Sequence, residues 1–110
     1  MEEGLSPFAL VKALETHITS LLMQFDIDAL PAGERELLRS IKRLAADVRL
    51  DLRDYGVADT KAAQDRLARE IRQRLHTFEQ AVVKAGELNL FGAVDVGHLS
   101  AQTQQLMAHL

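Results

Sequence analysis

The sequence predicts an all-α fold: a small antiparallel helical bundle with three long helices and a shorter C-terminal helix. Three observations carry this. Apolar residues recur at alternating intervals of three and four along most of the chain. The composition is rich in leucine and alanine but only 5% aromatic, a mixture that suits helices better than a large aromatic core. Helix-starting and helix-stopping residues (Ser, Thr, Asp, Pro and Gly) punctuate the periodic stretches at spacings that leave only short connections. With 110 residues, the expected organisation is one domain over 1–110.

The first helix is expected to start at Ser6-Pro7. A hydroxyl at the N-cap is followed by a proline whose missing N–H costs nothing at the first helical position. Leu10, Leu14, Ile18, Leu21 and Phe25 form its apolar stripe, widened by Val11 and Leu22. A length of about 20 residues is expected. The segment from Asp26 to Leu30 continues or frays this helix before a turn at Pro31 and Gly33.

The second helix is expected over about Glu34 to Tyr55, with Leu37, Ile41, Leu44, Val48, Leu52 and Tyr55 on one face. Gly56 would end it through a left-handed cap. The third begins near Asp59 or Thr60, carries Leu67, Ile71, Leu75, Phe78, Val82 and Ala85, and closes before Gly86. Leu88, Leu90, Phe91, Val94 and Val96 then make an apolar connection around Gly92. Asp95 is the expected cap of a final helix through Leu110, whose stripe is Leu99, Thr103, Leu106 and Leu110. Gly97 weakens its start, so this helix needs tertiary packing to persist.

Charge is segregated along the chain. The formal net charge is −3, and every arginine lies between Arg35 and Arg74. Residues 35–84 carry 12 basic and 8 acidic side chains, and the two flanks together carry one basic and 8 acidic. On a helical projection Arg35, Arg39, Lys42, Arg49 and Arg53 cluster on one side of the second helix, and Glu36, Asp47, Asp51 and Asp54 on another. The basic stripe is the candidate polyanion-binding surface, because arginine forms charge-assisted bonds with phosphate and carboxylate. The competing reading is a solvated face balanced by neighbouring acids. No aromatic ladder for stacking bases accompanies the stripe. The third helix favours local pairing, through Lys61/Asp65, Asp65/Arg69, Arg66/Glu70 and Glu70/Arg74 at four-residue spacing. Asp47, Asp51 and Asp54 lack the pattern of a calcium loop, and Arg43/Asp47 supplies one local pair.

Function classes that depend on cysteine are excluded: with no cysteine the chain has no thiol nucleophile, disulfide or zinc thiolate. That absence fits a reducing compartment. Met1-Glu2-Glu3-Gly4 is acidic where an export signal carries positive charge, and no apolar run is long enough to cross a bilayer. A cytoplasmic location without membrane attachment is the expectation. His17, His76, His98 and His109 form no dense ligand motif. His17 borders the stripe of the first helix, in a role of packing or a single hydrogen bond. Asp95 and His98 can approach one ion only if further ligands arrive from elsewhere. Gly92-Ala93-Val94-Asp95-Val96-Gly97 has neither the spacing nor the lysine of a phosphate loop, and no serine elbow is present. No metal or cofactor is implied. The balance is against an enzyme, although catalytic groups distant in sequence can converge.

The leading expectation is a non-catalytic protein interaction or assembly module, with a homodimer as the simplest form and another protein as the alternative partner. Leu50 and Val83 stand off the central stripes as candidate partner contacts. His98, Gln102, Gln105 and His109 form a candidate polar contact face opposite Leu99, Leu106 and Leu110. A nucleic-acid adaptor using the arginines of the second helix is the alternative function.

Overall fold

The first helix, α1 (Pro7–Leu22), starts where the local chemistry places it. The Ser6 side chain accepts a hydrogen bond from the Ala9 N–H at 3.2 Å, and Pro7 occupies the first helical position. The computed structural model describes residues 6–110. The acidic segment from Met1 to Gly4 lies outside them. α1 buries Leu10, Val11, Leu14, Ile18, Leu21 and Leu22. It stops short of the expected length, because the chain becomes extended at Asp26 and makes a single 3₁₀ turn over Ile27–Ala29. Phe25, Ile27 and Leu30 pack against the core from that connection, so their apolar contacts favour folding back over prolonging the helix.

The second helix, α2 (Ala32–Gly56), begins directly after Pro31, slightly before the expected Glu34. Gly56 is its last residue and does not form the expected left-handed cap; no glycine among the described residues has positive φ. The third helix, α3 (Lys61–Glu87), is capped by Thr60, whose hydroxyl accepts from the Ala63 N–H at 3.1 Å. It passes through Gly86 and is stopped by Asn89, at φ 61°. The Leu90 N–H returns to the Ala85 carbonyl at 2.9 Å and the Asn89 N–H to the Gly86 carbonyl at 3.0 Å, which satisfies two of the last carbonyls. Asparagine is among the few residues with a side chain that enter this region readily.

The fourth helix, α4 (Ala93–Met107), is capped by Gly92 rather than Asp95. Asp95 falls within the first turn, where its charge complements the helix N-terminus and its side chain is free for tertiary contact. Leu110 lies beyond the last helical residue but still packs against the core.

The four helices of the described residues form an all-α bundle in which each neighbours the next and α4 returns to α1. Its length distribution is two long and two short: α2 and α3 have 25 and 27 residues, α1 and α4 have 16 and 15. Cross-helix pairs show the antiparallel order. On α2 and α3, Asp51 meets Arg74 while Leu37 lies near Lys84 and Leu88. On α3 and α4, Glu79 meets Gln104 while Gly86 meets Val96. On α1 and α2, Glu15 meets Arg49 while Leu22 lies near Lys42.

Two regular seams make the centre of the core: Leu38, Ile41, Ala45, Val48 and Leu52 on α2, and Ala68, Ile71, Leu75, Phe78, Val82 and Ala85 on α3. Both alternate steps of three and four, the spacing that keeps a helix seam facing its neighbours. Leu37, Leu44 and Tyr55 were expected on the α2 face; they are half-buried at its edge, while Leu38 and Ala45 are buried. Leu67 likewise yields the central place to Ala68. Thr103 is the buried polar residue of α4, and its hydroxyl donates to the Leu99 carbonyl at 2.7 Å. This local bond lets a threonine complete an otherwise apolar stripe.

Candidate functional site

The two charged edges of α2 face different neighbours. Its basic edge lies against α1 and the 3₁₀ turn: Arg49 Nε is 2.7 Å from Glu15 Oε1, and Arg39 Nη2 is 3.2 Å from Asp28 Oδ1. Arg35 reaches towards the Asp28 carbonyl, with its Nη1 at 3.5 Å. Lys42 and Arg53 make no ion pair among the described residues. The arginines that form the stripe are therefore partly engaged by acids from the flanking acidic segment, and its exposed remainder centres on Lys42 and Arg53. On the acidic edge Glu36 and Asp54 are exposed, and Asp51 pairs with Arg74 of α3. That choice removes Arg74 from the expected local pair with Glu70, whereas Lys61 and Asp65 do pair along α3 at 3.3 Å. No group of three or more His, Cys, Asp or Glu among the described residues is placed to hold a metal ion.

A polar cluster joins α1 to α4. His17 is half-buried, with Nδ1 3.3 Å from Gln102 Oε1 and Nε2 3.3 Å from Asp95 Oδ1. The His98 ring lies 6.3 Å from it between centroids, tilted by 58°. The sequence placed His17 at the border of the core with a single polar partner; the fold brings it two from α4. Nothing local signals this, because the partners are separated from His17 by 78 and 85 residues.

The candidate contact residues occupy distinct surfaces. Leu50 is exposed on α2 and His98 and Gln105 on α4, whereas His109, expected on the same helical face, is exposed in the turn beyond the end of α4. Gln102 is turned inward to His17, so the proposed polar face of α4 is split between an intramolecular contact and solvent. His76 accompanies Gln80 along α3, at 3.3 Å. Val83 is 43% exposed and lines a groove of about 620 Å³ between α3 and α4. Phe91, Ala93 and Val96 continue its apolar lining, Gly86, Gly92 and Gly97 put no side chain into it, and Glu87 and Asn89 supply its polar edge. Nearby on the first turn of α4, Val94 is 71% exposed.

The groove follows from backbone proximity. A methyl group placed on Gly86 would stand 2.8 Å from Val96 Cγ2, so the absence of a side chain allows α3 and α4 to approach there. Helix continuation through Gly86 aligns Val83 with the crossing, and the Asn89 turn brings Phe91 beside it. Sequence reasoning selected Val83 alone. The sequence pattern puts Phe91 and Val96 in a connection and Gly86 at a helix end, which hides their convergence.

Fold and surface together define the class: an all-α four-helix bundle whose described helices include none long and apolar enough to cross a membrane. Comparison with protein-family models, curated proteins and solved structures finds no significant match.

Proposed function

We infer that this chain is a non-catalytic protein interaction or assembly module, and that it self-associates as a homodimer through the α3–α4 groove. The observation that carries this reading is the grouping of exposed Val83 with Phe91, Ala93 and Val96 in one concave apolar surface. Isolated exposed valines are ordinary, but a contiguous apolar depression gives a partner side chain somewhere to leave water. The simplest symmetric use of such a surface is a two-fold contact between copies. A cytoplasmic setting belongs to this reading, supported by the absence of cysteine.

The test is light scattering across roughly 1–200 µM protein, a range that brackets micromolar self-association. The expected mass rises towards that of a dimer with concentration. Val83→Glu places a charge in the groove itself at an already exposed position, so the variant should remain helical and shift to monomer. A wild-type chain that stays monomeric throughout overturns the homodimer.

A further inference from the structure

We propose that His17 is a proton-dependent latch that fastens α4 to α1 when the imidazole is charged and loosens it when the imidazole is neutral. Its two nitrogens face two acceptor oxygens: Nδ1 is 3.3 Å from Gln102 Oε1, and Nε2 is 3.3 Å from Asp95 Oδ1. A charged imidazole has two N–H donors and serves both acceptors. A neutral ring has one N–H and one lone pair, so with Gln102 Oε1 facing Nδ1 one of the two contacts then sets lone pair against lone pair. Asp95 and Gln102 stand seven positions apart on α4, close to two helical turns, so the charged ring ties that helix at two points instead of one.

The surroundings favour a local device over a rigid structural pair. His17 and Asp95 retain side-chain exposures of 22% and 37%, so protons reach them without opening the core. From α4 the ionisable groups facing the ring are Asp95 and His98, of which His98 opposes the latch when both rings are charged. α2 presents its nearest ion pair to α1 through Arg49 and Glu15, and none of its charged groups pairs with His17 among the described residues. α3 is not a principal packing neighbour of α1 and contributes no ion pair to His17 among the described residues. The moving element is α4, one of the two shorter helices, docked chiefly through buried Leu99, Thr103 and Leu106. The sign follows from donor count: the second attachment needs a ring with two N–H donors, so it accompanies the charged imidazole and is absent from the neutral one.

Hydrogen exchange tests the latch, with rates corrected for the intrinsic pH dependence of exchange. The comparison is of Leu99, Thr103 and Leu106 amides on α4 with Ile41 and Ile71 amides on α2 and α3, at about pH 8 and about pH 5.5. Protection on α4 should rise roughly threefold to tenfold at the lower pH relative to the other helices, the scale of one partly exposed charge-assisted contact. His17→Gln should abolish that α4-specific gain, whereas His98→Asn should retain or enlarge it. Should His17→Gln disturb folding, Gln102→Leu preserves the histidine and Asp95 while removing one acceptor, and should reduce the gain. Equal pH response in wild type and His17→Gln overturns the proposal. So does a pH-independent wild type, in which the Gln102 amide would turn its N–H group to Nδ1 and satisfy a neutral ring.

Discussion

Gly86 of α3 and Val96 of α4 meet so closely that an added Cβ on the glycine would lie 2.8 Å from Val96 Cγ2. Two effects compete in Gly86→Ala. Replacing a helical glycine with alanine gains up to about 1 kcal/mol, whereas forcing a packed contact costs about 1–3 kcal/mol. Val96 is β-branched and sits within a helix, so its side chain has little rotameric freedom with which to yield. Gly86→Ala is expected to lower stability by about 1 kcal/mol in urea unfolding. Adding Val96→Ala should relieve the contact, leaving the double variant less destabilised than the sum of the two single changes. Strict additivity would show that the helices do not meet there.

Gly97 should respond with the opposite sign. It is exposed inside α4, its φ is not positive, and an added Cβ meets no atom within 4 Å. Gly97→Ala therefore removes unfolded-chain freedom without a clash and should stabilise the fold by about 0.5–1 kcal/mol, or raise Tm by several degrees. Calorimetry on the two glycine variants would separate a helix-propensity effect from a packing effect. Loss of stability at Gly97 would contradict the open surface described for it.

Arg49 and Glu15 make the shortest intact test of charge segregation between α1 and α2. Their side chains are 40% and 26% exposed, so solvent screening limits the pair to the surface scale of about 0–1 kcal/mol. Arg49→Glu should cost about 1 kcal/mol because repulsion replaces attraction, and combining it with Glu15→Arg should restore part of that loss. Both effects should shrink at high salt. An unchanged denaturation midpoint would show that this ion pair contributes nothing to docking α1.

The polyanion alternative is better tested away from that pair. Lys42 and Arg53 have no ion-pair partner among the described residues, so Lys42→Glu with Arg53→Glu perturbs the stripe with the least structural cost. The assembly reading expects no salt-dependent DNA or RNA binding by the wild-type chain. Binding that appears at low salt and is weakened, with a flatter salt slope, in this double variant would assign a polyanion surface to α2.

Much of the fold was legible because helix signals are local. Ser6 and Thr60 cap helices with their own side chains, and Leu14, Ile18, Ile71, Leu75, Phe78 and Leu106 occupy the expected buried stripes. Ends were less legible where two residues competed for a role. Gly86 looked like a stop, but its bare Cα serves the α3–α4 approach, and Asn89 supplies the left-handed turn three residues later. Asp95 looked like a cap, but Gly92 starts α4 and leaves the carboxylate to meet His17. Leu38 and Ala45 were missed because a broad apolar face at Leu37 and Leu44 allows a shift of one position; packing from both sides selects the seam.

The sequence alone determined that the chain is helical, roughly where its helices run, and that basic and acidic residues occupy opposed edges of α2. These properties depend on neighbours within a few turns, so periodicity, caps and charge spacing expose them. Only the tertiary structure decided that Arg49 answers Glu15, Arg74 answers Asp51, His17 spans Asp95 and Gln102, and Val83 joins Phe91 and Val96 in one groove. Those relationships depend on how separate helices lie side by side. A one-dimensional pattern supplies the groups, but packing of several apolar faces at once selects which of them meet.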